Sequence, residues 1–300
     1  MSDPRIAATA PPNDLAPDRL RLRPDSDGGA SVDPTRAGWR YLSFSSGRMG
    51  PGGELHIGDA KTENAIVILA GSADISLDDG TRLELPGRTS VWDGLPWAAY
   101  LPPGVSGRFR AGGAGVRFAV VSAPSLLVVG PRQEPTVIGP ADVLVEVRGA
   151  GSATRQINHI ITPDFPAERL EVVEVYTPSG NWSSWPPHKH DTDDMPREAV
   201  LEEVYHYAFR RPEAWGIQRL YRRDGSRDAI WAVSDGDLVL VPDGYHPFVA
   251  THADDAYYLN ALAGDRRTMA CSFDPDLDWV RSASAEMAPD PRVPLIQPRR

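Results

Sequence analysis

Residues 177–191 read Thr-Pro-Ser-Gly-Asn-Trp-Ser-Ser-Trp-Pro-Pro-His-Lys-His-Asp and contain two histidines two residues apart. Pro186 and Pro187 disfavour a helix directly before the two histidines. In an extended segment, side chains two residues apart point to the same side. His188 and His190 are therefore predicted to present two imidazole nitrogens to one metal ion.

Two further ligand candidates follow downstream. Glu203 lies in a strand-like apolar segment, and His246 follows a turn rich in glycine and proline. Because strand side chains alternate, only one of Glu202 and Glu203 can face the ion, and Glu203 is the predicted ligand. Three nitrogens and one oxygen suit zinc, manganese, iron, cobalt or nickel and leave positions open for a substrate. This is the ligand pattern of a cupin barrel.

Composition narrows the class of protein. The chain has 300 residues, of which 41% are hydrophobic, so one large or two modest domains with a real core are expected. A net charge of −10 argues against binding to nucleic acid. The single cysteine, Cys271, fits a reducing compartment, and neither a signal peptide nor a membrane span is recognised. A soluble, cytoplasmic protein is predicted, and homo-oligomerisation is left open.

Turn-bounded alternating segments recur along the chain at the spacing of sandwiches and barrels, and no long helix is evident. We predict an all-β fold with two jelly-roll cupin barrels in tandem. Residues 1–35 are predicted as a disordered or loosely packed arm, 36–150 as a barrel without metal, 151–285 as the metal-binding barrel, and 286–300 as a loose tail. The halves resemble a degenerate repeat in which Trp97, ten residues after Gly87, takes the place of His246, ten after Gly236.

Other side chains are candidates for substrate contact. Tyr205 shares the strand face of Glu203, where a phenol could relay a proton. Gln218 and Arg219 are neighbours on one strand, so one of them must face inward, and Arg155 follows a glycine-rich turn from which it could clamp a carboxylate. The predicted catalytic residues are Tyr205 and Gln218, and the predicted substrate-binding residues are Arg155, Arg219 and Tyr257.

Three more histidines are given no role in the chemistry. His206 has the opposite strand parity to Glu203 and is predicted to point outward. His252 lies in a polar turn and is predicted to be solvated. His159 has no evident partner and is predicted to be structural.

The stretch at 177–191 resembles the 5-deoxy-glucuronate isomerases of myo-inositol catabolism. The supporting motifs are Leu-Glu-Glu-Val-Tyr at 201–205, Gln-Arg-Leu-Tyr at 218–221, Asp-Gly-Asp-Leu-Val-Leu-Val-Pro-Asp-Gly-Tyr-His-Pro at 235–247 and Tyr-Tyr-Leu-Asn at 257–260. The resemblance implies a bicupin that holds one divalent metal, zinc by preference and manganese or iron as alternatives, on His188, His190, Glu203 and His246. The implied reaction converts 5-deoxy-D-glucuronate to 5-dehydro-2-deoxy-D-gluconate by aldose–ketose isomerisation.

Alternatives stay open at this point. The same ligands would serve an iron-dependent cupin dioxygenase, another uronate ketol-isomerase, or a module that only binds a sugar acid. Isomerisation through an enediolate needs a base that moves a proton between neighbouring carbons, whereas a hydride shift needs none. The sequence does not identify such a base.

Overall fold

The computed structural model describes residues 15–125 and 134–297. Within these residues the chain forms 21 β-strands and three α-helices, and the longest helix has six residues. The prediction of an all-β protein is therefore confirmed. None of these helices has the length and apolarity needed to cross a lipid bilayer.

The elements follow the chain in two sets. The first set comprises α1 (Pro17–Leu20), β1 (Arg21–Leu22), β2 (Ala30–Val32), α2 (Pro34–Ala37), β3 (Ser43–Met49), β4 (Glu54–Ile57), β5 (Thr62–Leu77), β6 (Arg82–Arg88), β7 (Trp97–Leu101), β8 (Gly107–Pro124) and β9 (Thr136–Ile138). The second comprises β10 (Leu144–Arg148), β11 (Arg155–Ile161), β12 (Leu170–Thr177), β13 (Trp182–Ser183), β14 (His188–Lys189), β15 (Leu201–Phe209), β16 (Trp215–Tyr221), β17 (Asp228–Ser234), β18 (Leu238–Val241), β19 (Phe248–Ala250), β20 (Ala256–Gly264), β21 (Ser272–Phe273) and α3 (Trp279–Ser284).

The first barrel is organised by two long antiparallel strands, β5 and β8. Around them the strand order is β2-β3-β8-β5-β7-β9, with β4 added to β8 and β6 to β5. The long strands bend at β-bulges near Gly71, where φ is +85° and a Cβ would lie 2.1 Å from the carbonyl oxygen of Gly115. Only glycine fits this crossing, which turns the sheet around its own apolar core.

The second barrel is built on a seven-stranded sheet of order β1-β18-β15-β20-β12-β11-β10. A four-stranded sheet, β13-β19-β16-β17, and the β14–β21 pair complete it. Strands β12 and β20 are buried along their whole length, because one face lines the barrel interior and the other packs on the first barrel. One apolar core therefore runs across the contact between the barrels.

The boundary between the barrels lies between β9 and β10. β9 pairs with β7 in the first sheet, whereas β10 pairs with β11 in the second. The predicted boundary at residue 150 is therefore too late.

The N-terminal segment is packed from residue 15 onward. Leu20 and Leu22 are buried, and Arg21 donates to Asp237 across a 2.9 Å hydrogen bond. β1 joins the second sheet through β18, and β2 joins the first sheet through β3. The prediction of a loose arm is wrong for residues 15–35, and residues 1–14 lie outside the described residues.

The C-terminal segment is packed as well. The side chain of Gln156 makes two hydrogen bonds to the backbone of Ile296, of 2.8 and 2.9 Å, and Ile296 is buried. The Asn181 amide donates to Asp290 at 3.0 Å. The prediction of a loose tail is wrong for residues 286–297, and residues 298–300 lie outside the described part of the chain.

Two glutamates join the barrels in a symmetric way. The Glu63 carboxylate on β5 accepts the backbone N–H groups of residues 168–170 at 2.7 to 2.9 Å. The Glu202 carboxylate on β15 accepts those of residues 40–42 at 2.6 to 3.0 Å. Each barrel thus sends one carboxylate to equivalent amides of the other, which confirms the internal repeat.

The same pairing corrects the register of the repeat. Asn64, which follows Glu63, pairs with Leu101 in the first barrel. Glu203, which follows Glu202, pairs with Val241 in the second. His246, five residues after Val241, therefore corresponds to Ser106. The predicted equivalence of His246 with Trp97 is wrong, because it rested on glycine spacing and not on strand pairing.

His206 lies at the contact between the barrels. Its ring centroid is 5.3 Å from that of Phe44 in the first barrel, and it is buried, although its strand parity had suggested an outward position. Its Nδ1 makes no hydrogen bond with the described residues. Burial lowers the pKa of His206 to about 3, and the Arg117 cation adds to the effect.

The packing of the N-terminal segment predicts a large cost for trimming it. Leu20→Ala should reduce the free energy of unfolding by about 2–5 kcal/mol, the range for truncating a fully buried leucine. Urea unfolding followed by tryptophan fluorescence measures this, with Leu144→Ala as the matched control on an exposed site. A change below about 0.5 kcal/mol for Leu20→Ala would mean that the segment does not pack in solution.

The buried His206 predicts sensitivity to acid. Its folded-state pKa lies below the usual 6.5, so the unfolded chain takes up a proton that the folded chain refuses. Stability is therefore lost as the pH falls below about 6.5, by about 2 kcal/mol at pH 5. His206→Leu should remove this loss in urea unfolding at pH 7.5 and 5, whereas exposed His252→Gln should not. An unchanged pH dependence in His206→Leu would contradict the assignment.

Candidate metal centre

The four predicted ligands come from three places in the second barrel. β14 carries His188 opposite Phe273 of β21, and His190 follows β14 directly. The backbone N–H of Leu201 donates to the His190 carbonyl at 3.0 Å and ties the histidine segment to the start of β15. Glu203 lies on β15 and His246 in the connection between β18 and β19.

Three of the four ligands form a tight cluster. Glu203 Oε2 lies 2.9 Å from His190 Nε2 and 3.2 Å from His246 Nε2. Ligand atoms of these three residues all lie within 4.8 Å of one another, and all three are buried. His188 stands beside the cluster, with its ring centroid 4.8 Å from that of His246 and 6.4 Å from that of His190.

Neighbouring groups aim the ligand atoms. His190 Nδ1 lies 3.0 Å from the carbonyl of Leu201, and His246 Nδ1 lies 2.9 Å from that of Gly244. A carbonyl only accepts hydrogen bonds, so each Nδ1 carries a proton, and each Nε2 faces Glu203 as the atom that would bind an ion. Asn260 donates to Glu203 Oε1 at 2.6 Å, which leaves Oε2 for the ion.

The cluster fits a divalent metal ion. His246 Nε2 is buried and makes no hydrogen bond with the described residues. Burial lowers the pKa of His246 and of His188 below the usual value, which favours the neutral form that a ligand needs. An ion between the imidazoles and the carboxylate would use the free nitrogen lone pair.

Arg155 lies on the same inner face, at the start of β11. It is buried, and its Nη1 donates to the carbonyl of Ala153 at 3.1 Å and more weakly to that of Trp185 at 3.4 Å. Among the described residues no carboxylate pairs with it. Burial lowers the pKa of Arg155 to about 10, and the neighbouring Arg148 cation also lowers it.

Tyr205 shares this face, as its parity predicted. Its hydroxyl lies 3.0 Å from that of Ser184, and its ring centroid lies 6.0 Å from that of His246. Burial raises the pKa of Tyr205 well above its usual value, so the phenol keeps its proton.

Comparison with known proteins identifies the family. The KduI/IolB family model matches residues 21–280. The chain belongs to the KduI/IolB family. A 5-deoxy-glucuronate isomerase of Geobacillus kaustophilus is 38% identical over 259 residues, which cover 86% of this chain and 92% of that protein.

Solved structures support the KduI/IolB assignment and the fold. An IolB-like protein from Salmonella typhimurium is 33% identical with a TM-score of 0.82, and the match covers 87% of this chain and 99% of that one. An oxalate decarboxylase of Bacillus subtilis, whose structure was studied for its Mn(II) centres, has a TM-score of 0.57 at 14% identity, over 84% of this chain and 77% of that one. This KduI/IolB chain is thus an all-β protein with the cupin fold.

Strand β16 corrects two predicted roles in this KduI/IolB chain. Gln218 faces inward, but its amide is engaged: it accepts from the Tyr207 hydroxyl and donates to the His246 carbonyl at 2.7 Å. Gln218 therefore stabilises the loop that carries His246 and is not positioned to contact substrate. Arg219 faces outward and forms a bidentate pair with Asp228, both bonds 2.8 Å. The predicted substrate contact of Arg219 is wrong, because alternation gave the inner position to Gln218.

Strand β20 corrects a third predicted role, that of Tyr257. Tyr257 points to the contact between the barrels, where its hydroxyl donates to Glu174 at 2.8 Å, so its predicted substrate contact is wrong. The neighbouring Tyr258 faces the barrel interior, with its ring 4.6 Å from that of Tyr205. Both tyrosines are buried, so the sequence pattern could not tell the two faces apart.

The structure also gives His159 a partner that the sequence did not reveal. His159 Nε2 lies 2.8 Å from Glu146 Oε2, on the neighbouring strand β10. A hairpin signal was present, because an alternating segment with Glu146 and Arg148 ends at Gly149. Pairing it with the next strand would have brought the glutamate to the histidine.

Glu202 and Glu203 lie on opposite faces of β15, so substituting them should have different effects on metal binding and on stability. Glu203→Gln should strip most bound metal, because an amide is a poor ligand for the ion. Glu202→Gln should keep the metal but destabilise the fold by about 1–3 kcal/mol, since charge-assisted bonds to residues 40–42 weaken. Metal analysis of dialysed protein and urea unfolding test both. Metal loss in Glu202→Gln with retention in Glu203→Gln would place the ion elsewhere.

Proposed function

We propose that this chain isomerises 5-deoxy-D-glucuronate to 5-dehydro-2-deoxy-D-gluconate. The chain belongs to the KduI/IolB family, and relatives that match most of its length are named 5-deoxy-glucuronate isomerases. The reaction moves a carbonyl from the aldehyde carbon to its neighbour and needs no external oxidant or reductant. The enzyme is thus an intramolecular aldose–ketose isomerase acting on a small uronate.

The metal belongs to this proposal. His188, His190, Glu203 and His246 would hold one divalent ion, with zinc as first choice and manganese or iron as alternatives. When bound, such an ion polarises the substrate carbonyl as a Lewis acid. The Tyr205 phenol, protonated and close to His246, is placed to pass a proton between substrate oxygens.

A cytoplasmic location is also proposed, since the single cysteine, Cys271, is free.

The observation that carries the substrate assignment is the unpaired charge of Arg155. Buried guanidinium groups are normally paired with a carboxylate, because an uncompensated buried charge is costly. Arg155 contacts only carbonyl oxygens among the described residues. A uronate carboxylate would supply the missing partner in two-point fashion. The metal would then take the aldehyde end and Arg155 the acid end of one molecule.

The proposal predicts a clear kinetic split between two arginines. Arg155→Ala should lower kcat/KM for 5-deoxy-glucuronate by about 10- to 100-fold, mainly through KM, because it removes a charge-assisted contact worth about 1.5–3 kcal/mol. Bound metal should not change. Arg219→Ala, which removes only a surface pair, is the control and should keep wild-type kinetics. Equal efficiency in both variants would leave the carboxylate with a different partner.

The reaction class itself has a direct test. Metal-loaded protein incubated with synthetic 5-deoxy-glucuronate should convert the aldehyde signals to those of a ketone in proton NMR spectra. An oxygen electrode should show no uptake during turnover. Oxygen consumption coupled to substrate loss would instead identify a dioxygenase and overturn the proposed function.

A further inference from the structure

A second polar cluster lies in the metal-binding barrel, apart from the ligands. It consists of Glu146 and Arg148 on β10 and His159 on β11. Arg148 donates two 2.8 Å hydrogen bonds to the Glu146 carboxylate. His159 Nε2 lies 2.8 Å from the same carboxylate. None of the three is used by the metal site or by the proposed carboxylate contact.

Strand register shows which way His159 points. It pairs with Val173 on β12, Val173 pairs with Asn260 on β20, and Asn260 pairs with Tyr205 on β15. Residues paired across a sheet point to the same face. Asn260 contacts Glu203 inside the barrel, so His159 lies on the interior face at the level of Tyr205.

The hydrogen bonds determine the form of the imidazole. Hydrogen bonds from Arg148 lower the pKa of Glu146 to about 2, against the opposing effect of burial, so Glu146 is ionised at neutral pH. An ionised carboxylate only accepts, so His159 Nε2 carries the proton and Nδ1 carries the lone pair. No described residue hydrogen-bonds Nδ1, and this nitrogen is not sealed from solvent. A carboxylate-oriented imidazole with a free lone pair is the arrangement of a general base.

Electrostatic neighbours connect this cluster to the metal site. The charges of Arg148 and Glu203 both act on the thiol of Cys271, whose pKa is raised mainly by burial. Burial lowers the pKa of Arg155 most, and the nearby Tyr258, Arg148 and Tyr205 have smaller effects on it.

The position along β11 suits the substrate. Arg155 and His159 lie four residues apart on one strand, about 13 Å between their Cα atoms. Both side chains point into the barrel interior, so a uronate held by Arg155 would share that interior with His159.

We infer that His159, oriented by Glu146, is the base that moves the carbon-bound proton in the proposed isomerisation, on which this inference rests. Nδ1 takes the proton from C2 of the aldehyde, the electrons of that C–H bond form the C1–C2 double bond of an enediolate, and the π electrons of the carbonyl pass to O1. The imidazolium returns the proton to C1, while the hydroxyl proton of O2 passes to O1. Atoms and charge balance, and no second reactant is needed.

Kinetics of His159→Gln test the assignment. kcat should fall by about 10²- to 10⁴-fold, the usual contribution of a general base, while KM and bound metal stay near wild type. Glu146→Gln should lower kcat by about tenfold or more, because its partner loses its orientation. His252→Gln, on an exposed turn, is the control and should be unaffected.

Two further measurements separate a catalytic from a structural role. In metal-free protein labelled with ¹⁵N, the imidazole of His159 should be the Nε2–H tautomer, and Glu146→Gln should disturb it. In D₂O, the wild-type product should carry deuterium at C1, which a hydride shift would not introduce. The tautomer reading requires no turnover at all.

The outcomes that overturn the inference differ from failure of the proposed function. Wild-type protein that does not isomerise 5-deoxy-glucuronate refutes the proposed function. A wild type that isomerises while His159→Gln keeps a third or more of kcat refutes the role of His159 alone, as does a product without deuterium. Loss of activity that follows loss of metal or of folding in both His159→Gln and His159→Asn would make the residue structural.

Discussion

The alternation of side chains on β15 is the constraint on which both the fold and the site depend. Glu202 points to the other barrel and binds three of its backbone amides, while Glu203 points inward to the histidines. Neither face of the strand is free. A slip of one residue would exchange the two glutamates, and would remove the contact between the barrels together with the carboxylate of the candidate metal centre. The geometry of the centre is thereby coupled to the packing of the barrels.

A buried ion pair reinforces the same contact. Arg88 at the end of β6 binds Glu174 on β12 through two nitrogens, one at 3.1 Å, and Tyr257 donates to the same carboxylate. Burying such a pair costs about as much solvation as the attraction returns, so its net stabilisation is small. Removing one partner would leave the other charged and buried. The pair therefore acts mainly on how the barrels are oriented.

Sequence reasoning matches the geometry where one local rule decides which way a side chain points. The His-x-His spacing and the parity of β15 predicted that His190, Glu203 and Tyr205 share the barrel interior, and all three face it. It failed at Tyr257, because both faces of β20 are buried. The hydrophobic pattern therefore cannot show which of its side chains point into the barrel. It failed for the N-terminal arm because β1 has two residues and no period to detect. The partner of His159 depends on pairing between strands, which no single segment encodes.

The attachment of β1 to β18 has a consequence for how the protein is made. Arg21 and Asp237 are separated by 216 residues, yet they meet at the edge of the seven-stranded sheet of the second barrel. During synthesis the edge strand leaves the ribosome long before the sheet it completes exists. Completing that sheet therefore requires β1 to pair with a strand made much later, a non-local closure of the kind that folds slowly. For the same reason, the second barrel cannot be excised by cutting between the two barrels without exposing the edge of β18.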